Sequence, residues 1–467
     1  MVLTLIQPRH NYAPTEGLGH IHLSAPLPSV KARLQMAGIR DIELLDANIT
    51  TPDYEHLSWI VGFNLVGAPY IPEVLNIIER IPRDVEILLW GQIIGSLSDE
   101  EFMRIFHTKG RTNIHNGNNP ETLGRIVGVR PQDIPSTECI DMTSVYADID
   151  DEHMRLYLER EFSVYVSQGC KYNCNFCQAA KGRPEIYREL SWFQNELTHL
   201  VSRAKSFWLN TLSFYMSNLD ILQTPEEFRK FLDVIEHIRR NNPWFEIRFR
   251  WLCGIESFMN CYFHHHEMLV RAKNLWLHSI GYGIDGATPE VWKSIWKSQN
   301  FKKISWGEQW SDQEKAIKTI EWTKELGIRP EILMVFWHPK ETQESLKLAY
   351  TFCAEMQEKY GALPRPHVSK TIIPGAKAWK EPENHAIVEQ FISDPRLFQA
   401  LDYTALPSEL THPNNSLKKA TSTWYRKICA LDPDATKYVI PDTPHYRGIA
   451  NRKNTTVTKM NEGKFDR

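Results

Sequence analysis

No run of about 18 apolar residues occurs anywhere in this 467-residue chain, so no segment reads as a membrane span. The opening MVLTLIQPRHNY has no basic region leading into a long apolar stretch, which sets the expectation of an unexported, cytoplasmic protein. An excess of one charge sign is also missing. With 54 Lys and Arg against 57 Asp and Glu, the net charge of -3 gives no field to draw the chain to nucleic acid or an acidic membrane. Cysteine is scarce, eight in all, which is too few for a disulfide scaffold. Internal repeats and low-complexity tracts are absent. What remains is ordinary globular composition, 42% hydrophobic and 24% charged, in a chain long enough for two or three packed cores.

The first 130 residues alternate short apolar runs with amphipathic stretches, the pattern of a parallel α/β layer. Leu3 to Ile6, Ile42 to Asp46, Trp59 to Leu65 and Val85 to Trp90 read as strands, with helices at Pro28 to Ala37 and Ile71 to Arg80. Ala47, Asn48, Gly67, Gly91, Gly95 and Ser96 then fall at strand ends, the edge where a doubly wound sheet holds a ligand. Asn119-Pro120 opens a short helix to about Val127. Residues 131–160, with Pro131, Pro135 and an acidic run, read as a connector. Residues 161–380 open with a strand, Phe162 to Ser167. Helices then follow near 188–204, 225–240, 266–273, 312–326 and 341–358, alternating with strands at 207–214, 246–252, 277–284, 330–337 and 367–373. Repeated βα units imply a parallel sheet closed into a partial barrel of the (βα)6, TIM-like kind. Residues 381–467 read as a helical and irregular extension ending in a loose tail.

Five cysteines, at 139, 253, 261, 353 and 429, are scattered and read as small buried hydrophobes. The other three crowd into Cys170-Lys-Tyr-Asn-Cys174-Asn-Phe-Cys177, directly after Gly169 and a strand. Three thiolates at this spacing can each bind a different iron of one cubane and leave its fourth iron unligated. A structural zinc site asks for a fourth protein ligand, and the nearest histidines, His153 and His199, are not at finger spacing.

Cys-x3-Cys-x2-Cys with an aromatic before the last Cys, after the first strand of a βα series, resembles the radical S-adenosylmethionine (SAM) superfamily. Gly283-Ile-Asp285-Gly286, His338-Pro339-Lys-Glu-Thr342 and Ile373-Pro-Gly375-Ala376 resemble, in order and spacing, three points of a subgroup with an N-terminal cobalamin-binding domain. That subgroup usually has Glu at Asp285, Gly-Leu-Pro-Gly over Phe336 to Lys340, and Thr at Ala376. The first 130 residues share the likeness at Gly17 to Gly38, Asp46-Ala-Asn48, Asn64, Gly91-Gln92 and Ser98 to Glu101, so that it spans about residues 3 to 380.

The resemblance implies a [4Fe-4S] cluster on Cys170, Cys174 and Cys177, with SAM on its open iron. It places Phe176 along adenine, Tyr215, Ser217 and Asn218 at the methionine end of SAM, and Arg250, Asp285 or Pro339 at ribose and adenine. Cobalamin would rest on Asn64 to Gly67, on Gly91, Gly95 and Ser96, and on Asn116 to Asn118, including Gly117. The Asp-x-His-x-x-Gly segment that brings a lower axial histidine is absent, so the cobalt would lack that ligand. A first domain that only braces the barrel is the alternative. The implied activity is reductive cleavage of SAM to a 5′-deoxyadenosyl radical and, with cobalamin, methyl transfer to carbon on a small molecule or peptide. Radical rearrangement, cyclisation or epimerisation is the alternative. A reductant such as flavodoxin or ferredoxin is the implied partner. A plain iron-sulfur electron carrier normally has four cysteine ligands. The second cysteine triad and terminal RNA-binding barrel of tRNA methylthiotransferases are missing, which disfavours a nucleic-acid substrate.

His264, His265 and His266 are consecutive and cannot converge on one metal from a helix. Trp292, Trp296, Trp306, Trp310 and Trp322 suit either an apolar wall over the barrel or core packing. Lys293 and Lys297, one helical turn apart, read as a solvated face.

Overall fold

The computed structural model describes residues 3–8, 23, 25–50, 52–107, 110–136, 138–178, 183–301, 310–338, 340–368, 370–401, 410 and 416–431. Gly17, Trp306, Pro339 and the tail beyond 431 lie outside them.

Five strands, β1 (Leu3–Gln7), β2 (Ile42–Asp46), β3 (Ile60–Asn64), β4 (Glu86–Trp90) and β5 (Ile114–Asn116), form an all-parallel sheet in the order β2-β1-β3-β4-β5. β1 and β3 are buried at every position, which is why they read as continuous apolar runs rather than alternating ones. Leu3, Leu5, Leu88 and Trp90 pack on one face with the helices Pro26–Met36 and Pro120–Val127. The second of these starts where Asn119 accepts the N–H groups of Glu121 and Thr122 and Pro120 fills the first turn; it stops at left-handed Gly128. Ile6, Val61, Phe63, Ile87 and Leu89 point the other way, under the helices Tyr70–Ile78 and Asp99–Phe106.

The connector read at 131–160 carries helices at Thr143–Ala147 and Asp151–Leu158, with Tyr146, Met154 and Tyr157 buried. The Tyr157 hydroxyl donates to Asp46 Oδ2 at 2.7 Å, so this segment is docked on the end of β2.

β6 (Glu161–Tyr165), β7 (Ser167–Cys170), β8 (Arg183–Tyr187), β9 (Thr211–Ser217), β10 (Glu246–Cys253), β11 (Leu277–Gly283), β12 (Arg329–Phe336) and β13 (Leu363–Val368) follow. Six of them make a second parallel sheet in the order β13-β12-β11-β10-β9-β6, with β6 and β13 as its edges. Strict alternation in β9 buries Leu212, Phe214 and Met216 outward under the helices and turns Ser213, Tyr215 and Ser217 inward. Curvature shows in a contact that skips a strand: Arg250 of β10 donates twice to Glu161 of β6, each bond 2.6 Å. The sheet is therefore an open barrel. The single strand expected at Phe162 to Ser167 is two, because the chain leaves the barrel at Val166 for an antiparallel β7–β8 hairpin. The last barrel strand lies at Leu363–Val368, ahead of the expected 367–373.

From Ile372 the chain returns to the first sheet. Ile372, Ile373, Ala376, Trp379, Phe391, Phe398 and Leu401 belong to the same core as Phe63 and Leu89. Trp379 Nε1 donates to Glu101, and Arg104 pairs with Glu389.

Candidate metal centre and cofactor edge

Cys170 ends β7, and the loop after it carries Cys174 and Cys177 at the carboxyl mouth of the barrel. Gly169 takes a left-handed φ of 107° there, and the β7–β8 register slips between Gln168 and Cys170. The loop is tied down on both sides. Asn175 receives a backbone bond from Lys377 and donates its side-chain amide to Ser294 O at 2.8 Å, and Gln178 Nε2 donates to Pro374 O at 2.6 Å. Cys177 N–H closes a turn on Cys174 O. None of the eight cysteines forms a disulfide.

Burial pushes the Cys170 thiol up to about 12 and raises that of Cys174, while the Lys297 ammonium pulls both back down. Gln299 Nε2 lies 3.8 Å from Cys174 Sγ. Three thiols on one anchored loop, with a cation and an amide donor nearby, are the type of donor an iron cube takes, since metal binding supplies the deprotonation that burial resists. Among the described residues, no three His, Cys, Asp or Glu side chains converge on a point for a single metal ion. A cube takes one thiolate per iron and needs no such point.

Phe176 packs edge-on against His338 at 5.6 Å, and His338 Nε2 is 3.0 Å from Asp285 O. Asp285 sits past the end of β11 with φ 57°, its N–H on Leu333 O. These three therefore meet at the mouth beside the cysteine loop. Asn218, at the end of β9, is buried, and its Oδ1 has no hydrogen-bond donor among the described residues. An ammonium group such as the amino end of SAM would satisfy it. Tyr215 and Ser217 line the lumen from the same strand, but the Tyr215 hydroxyl is bonded to Asn218 O at 3.1 Å. Arg250, on β10, is paired with Glu161 and stacked 4.6 Å over Tyr215. Pro339 lies outside the described residues.

Sequence reasoning missed Lys297, which was read as solvated and is buried in an ion pair with Asp285 at 2.9 Å. It missed Gln299 too. Neither carries a local signal, because the turn that faces them inward begins only after the helix Pro289–Ser294 stops. Trp292 is core, its Nε1 on Ile284 O, whereas Trp296 is exposed with Lys377 above it. His264 ends one helix and His266 begins the next.

In the first sheet the strand order reverses between β1 and β3, so the crevice at their carboxyl ends is its topological switch point. Gln7, Asn64, Val66 and Tyr70 line that crevice. Asn118 clasps the backbone of Gly91, donating to its O at 2.8 Å and accepting from its N at 3.2 Å. Gly91 cannot be replaced there: its φ is 105° and a Cβ would stand 2.3 Å from Leu65 O. Gly117 is needed against Trp90, where a Cβ would come within 2.6 Å of the ring. Gly67 and Gly95 leave the edge low, with nothing closer than 3.4 Å to such an atom. Asn116 accepts from Asn118 N at 3.0 Å. A flat ring could rest on this edge; of the histidines near it among the described residues, His107 Nε2 is bonded to Ile114 O and His115 Nε2 to Glu86. The edge faces the barrel mouth, because Gly375 abuts Ser96 and its neighbours Pro374 and Lys377 hold the cysteine loop.

No family model matches the sequence, and no curated protein matches it. Solved structures do match in fold. The radical SAM methyltransferase TsrM from Kitasatospora setae, solved with cobalamin and a [4Fe-4S] cluster, aligns with TM-score 0.56 at 16% identity, over 91% of this chain and 85% of that one. The same protein with tryptophan and a SAM analogue aligns at 0.55 and 16%, over 84% and 76%. The cobalamin-dependent radical enzyme OxsB, with aqua-cobalamin, aligns at 0.54 and 13%, covering 99% of this chain and 61% of that longer one. This chain shares the fold of those TsrM and OxsB structures. Among those structures TsrM shares it along most of both chains.

Proposed function

We propose that this chain is a radical SAM enzyme that holds a [4Fe-4S] cluster on Cys170, Cys174 and Cys177. Cobalamin would lie on the carboxyl edge of the first sheet, at Asn64, Gly67, Gly91, Gly95, Ser96, Asn116 and Gly117. Its reaction would be methyl transfer to a carbon of a small molecule or peptide, with electrons from a flavodoxin- or ferredoxin-type donor. When bound, cluster and SAM supply a 5′-deoxyadenosyl radical, and the corrin supplies a methyl group. The chain's own part is to position and to exclude water: Asn218 accepts from the amino end of SAM, and Phe176, Asp285 and His338 form the wall beside the loop. In this reading residues 1–130 are the corrin domain, 131–160 the docked connector, 161–380 the barrel, and 381–467 an extension whose first part rides on the corrin domain.

The observation that carries the reading is the segment Pro374 to Lys377, which touches the cysteine loop and Ser96 at once. In this reading it would bring the cluster loop and the corrin edge together. The test is anaerobic reconstitution, then dithionite and SAM, with chromatography for 5′-deoxyadenosine. Product is expected from the wild type and from Cys353→Ala, whose thiol is buried in the barrel core, and none from Cys174→Ala. Product from Cys174→Ala would overturn the ligand assignment. Loss of added hydroxocobalamin on desalting would leave the radical chemistry and remove the methyl transfer.

A further inference from the structure

Lys297 is buried with an acidic partner directly beside the cysteine loop, and three separate constraints hold it there. The first is the ion pair: its ammonium lies 2.9 Å from Asp285 Oδ2, with side-chain exposures of 9% and 8%. The second is Gly283, where a Cβ would stand 2.8 Å from Lys297 Nζ and 3.0 Å from Asp285 Oδ2, so that a side chain would displace the pair. The third is the backbone of Asp285, whose left-handed φ of 57° is locked by Leu333 O on one side and His338 on the other. Burial works against the lysine's charge, but the Asp285 carboxylate it faces offsets this. The segment that carries the lysine is seated on the cysteine loop: Asn175 bonds Ser294 O at 2.8 Å and Ile295 O at 3.3 Å, and Gln299 Nε2 lies 3.8 Å from Cys174 Sγ.

A buried ion pair is a poor source of stability, so the pairing is better explained by what the cation does where it is held. We propose that Lys297 raises the reduction potential of the iron-sulfur cluster and that Asp285 fixes its position and moderates its effect. This rests on the cluster assignment above. Reduction brings one electron from an external one-electron donor into the cube, with no bond broken and no proton taken up. The reduced cube carries one more negative charge, which a fixed neighbouring cation stabilises.

The test is an EPR-monitored redox titration of the full chain, reconstituted anaerobically, with dithionite as reductant and no SAM. Four proteins give an ordered series. Asp285→Asn should have a midpoint potential above wild type, because the cation acts unopposed; asparagine tolerates the left-handed backbone. The double variant Lys297→Gln with Asp285→Asn should fall below wild type, and Lys297→Gln alone should be lowest. Lys297→Arg should stay with wild type. Equal potentials across the series at equal iron content would overturn the proposal. Should Lys297→Gln take up no cluster, Asp285→Asn decides alone, and a potential at or below wild type refutes the claim. A wild-type chain that binds no four-iron cluster sinks the cluster assignment instead, and this inference with it.

Discussion

Arg250 separates two accounts of the barrel lumen. The family resemblance puts it at the ribose or adenine of SAM, while the structure commits its guanidinium to Glu161 through two 2.6 Å bonds, each partner's side chain 12% exposed. Replacing it by methionine keeps much of the volume and removes the charge. Glu161 would then be left in the lumen without a cation, and Glu331 would retain Arg365 at 3.7 Å and Ser279 at 2.8 Å. Removing one member of a buried ion pair costs about 3–5 kcal/mol, because the remaining charge stays desolvated. Arg250→Met should therefore lower the unfolding free energy of the barrel by about 3–5 kcal/mol. Adding Glu161→Gln should recover most of that loss, since no buried charge is then unpaired. Urea unfolding of the cluster-free protein, followed by near-UV circular dichroism, measures both. A loss below about 1 kcal/mol, paired with a raised KM for SAM, would refute the structural role and restore the ligand role.

Gly375→Ala should destabilise by about 1–2 kcal/mol, from its φ of 88° and a Cβ 2.6 Å from Ser96 Oγ. Because Ser96 Oγ is held by its bond to Gln92 O, adding Ser96→Gly should relieve part of the loss; strictly additive effects in denaturant melts would show that the two loops do not touch. Burial raises the Glu185 carboxyl to about 7, although the Ser167 and Tyr187 hydroxyls oppose this. The native state then holds a proton that the unfolded chain gives up near the ordinary carboxyl pKa. Its contribution to stability is present at low pH and is lost as pH rises from about 4.5 to about 7. Glu185→Gln should therefore flatten the stability profile across that window, and an unchanged slope in melts from pH 4.5 to 8 would argue against a protonated native carboxyl.

What the chain's order of residues determined by itself is its local grammar. The βα alternation, the helix Pro225–Arg240, the strand Ile42–Asp46 and the helix opened by Asn119-Pro120 were all legible, because periodicity, caps and turns act over a few residues. The cysteine loop was legible for the same reason, three thiols falling within eight residues of the chain. Tertiary structure alone decided which distant groups share a place. Lys297 left the solvated face its spacing suggested once its turn met Asp285, and Arg250 was claimed by Glu161, 89 residues away in the chain. The segment Ile372 to Leu401, expected to divide between the barrel and its extension, packs beneath the first sheet, an apolar surface nothing in its own pattern could name. Burial and ion pairing are settled by partners brought together only in the folded chain, so no neighbouring residue can announce them.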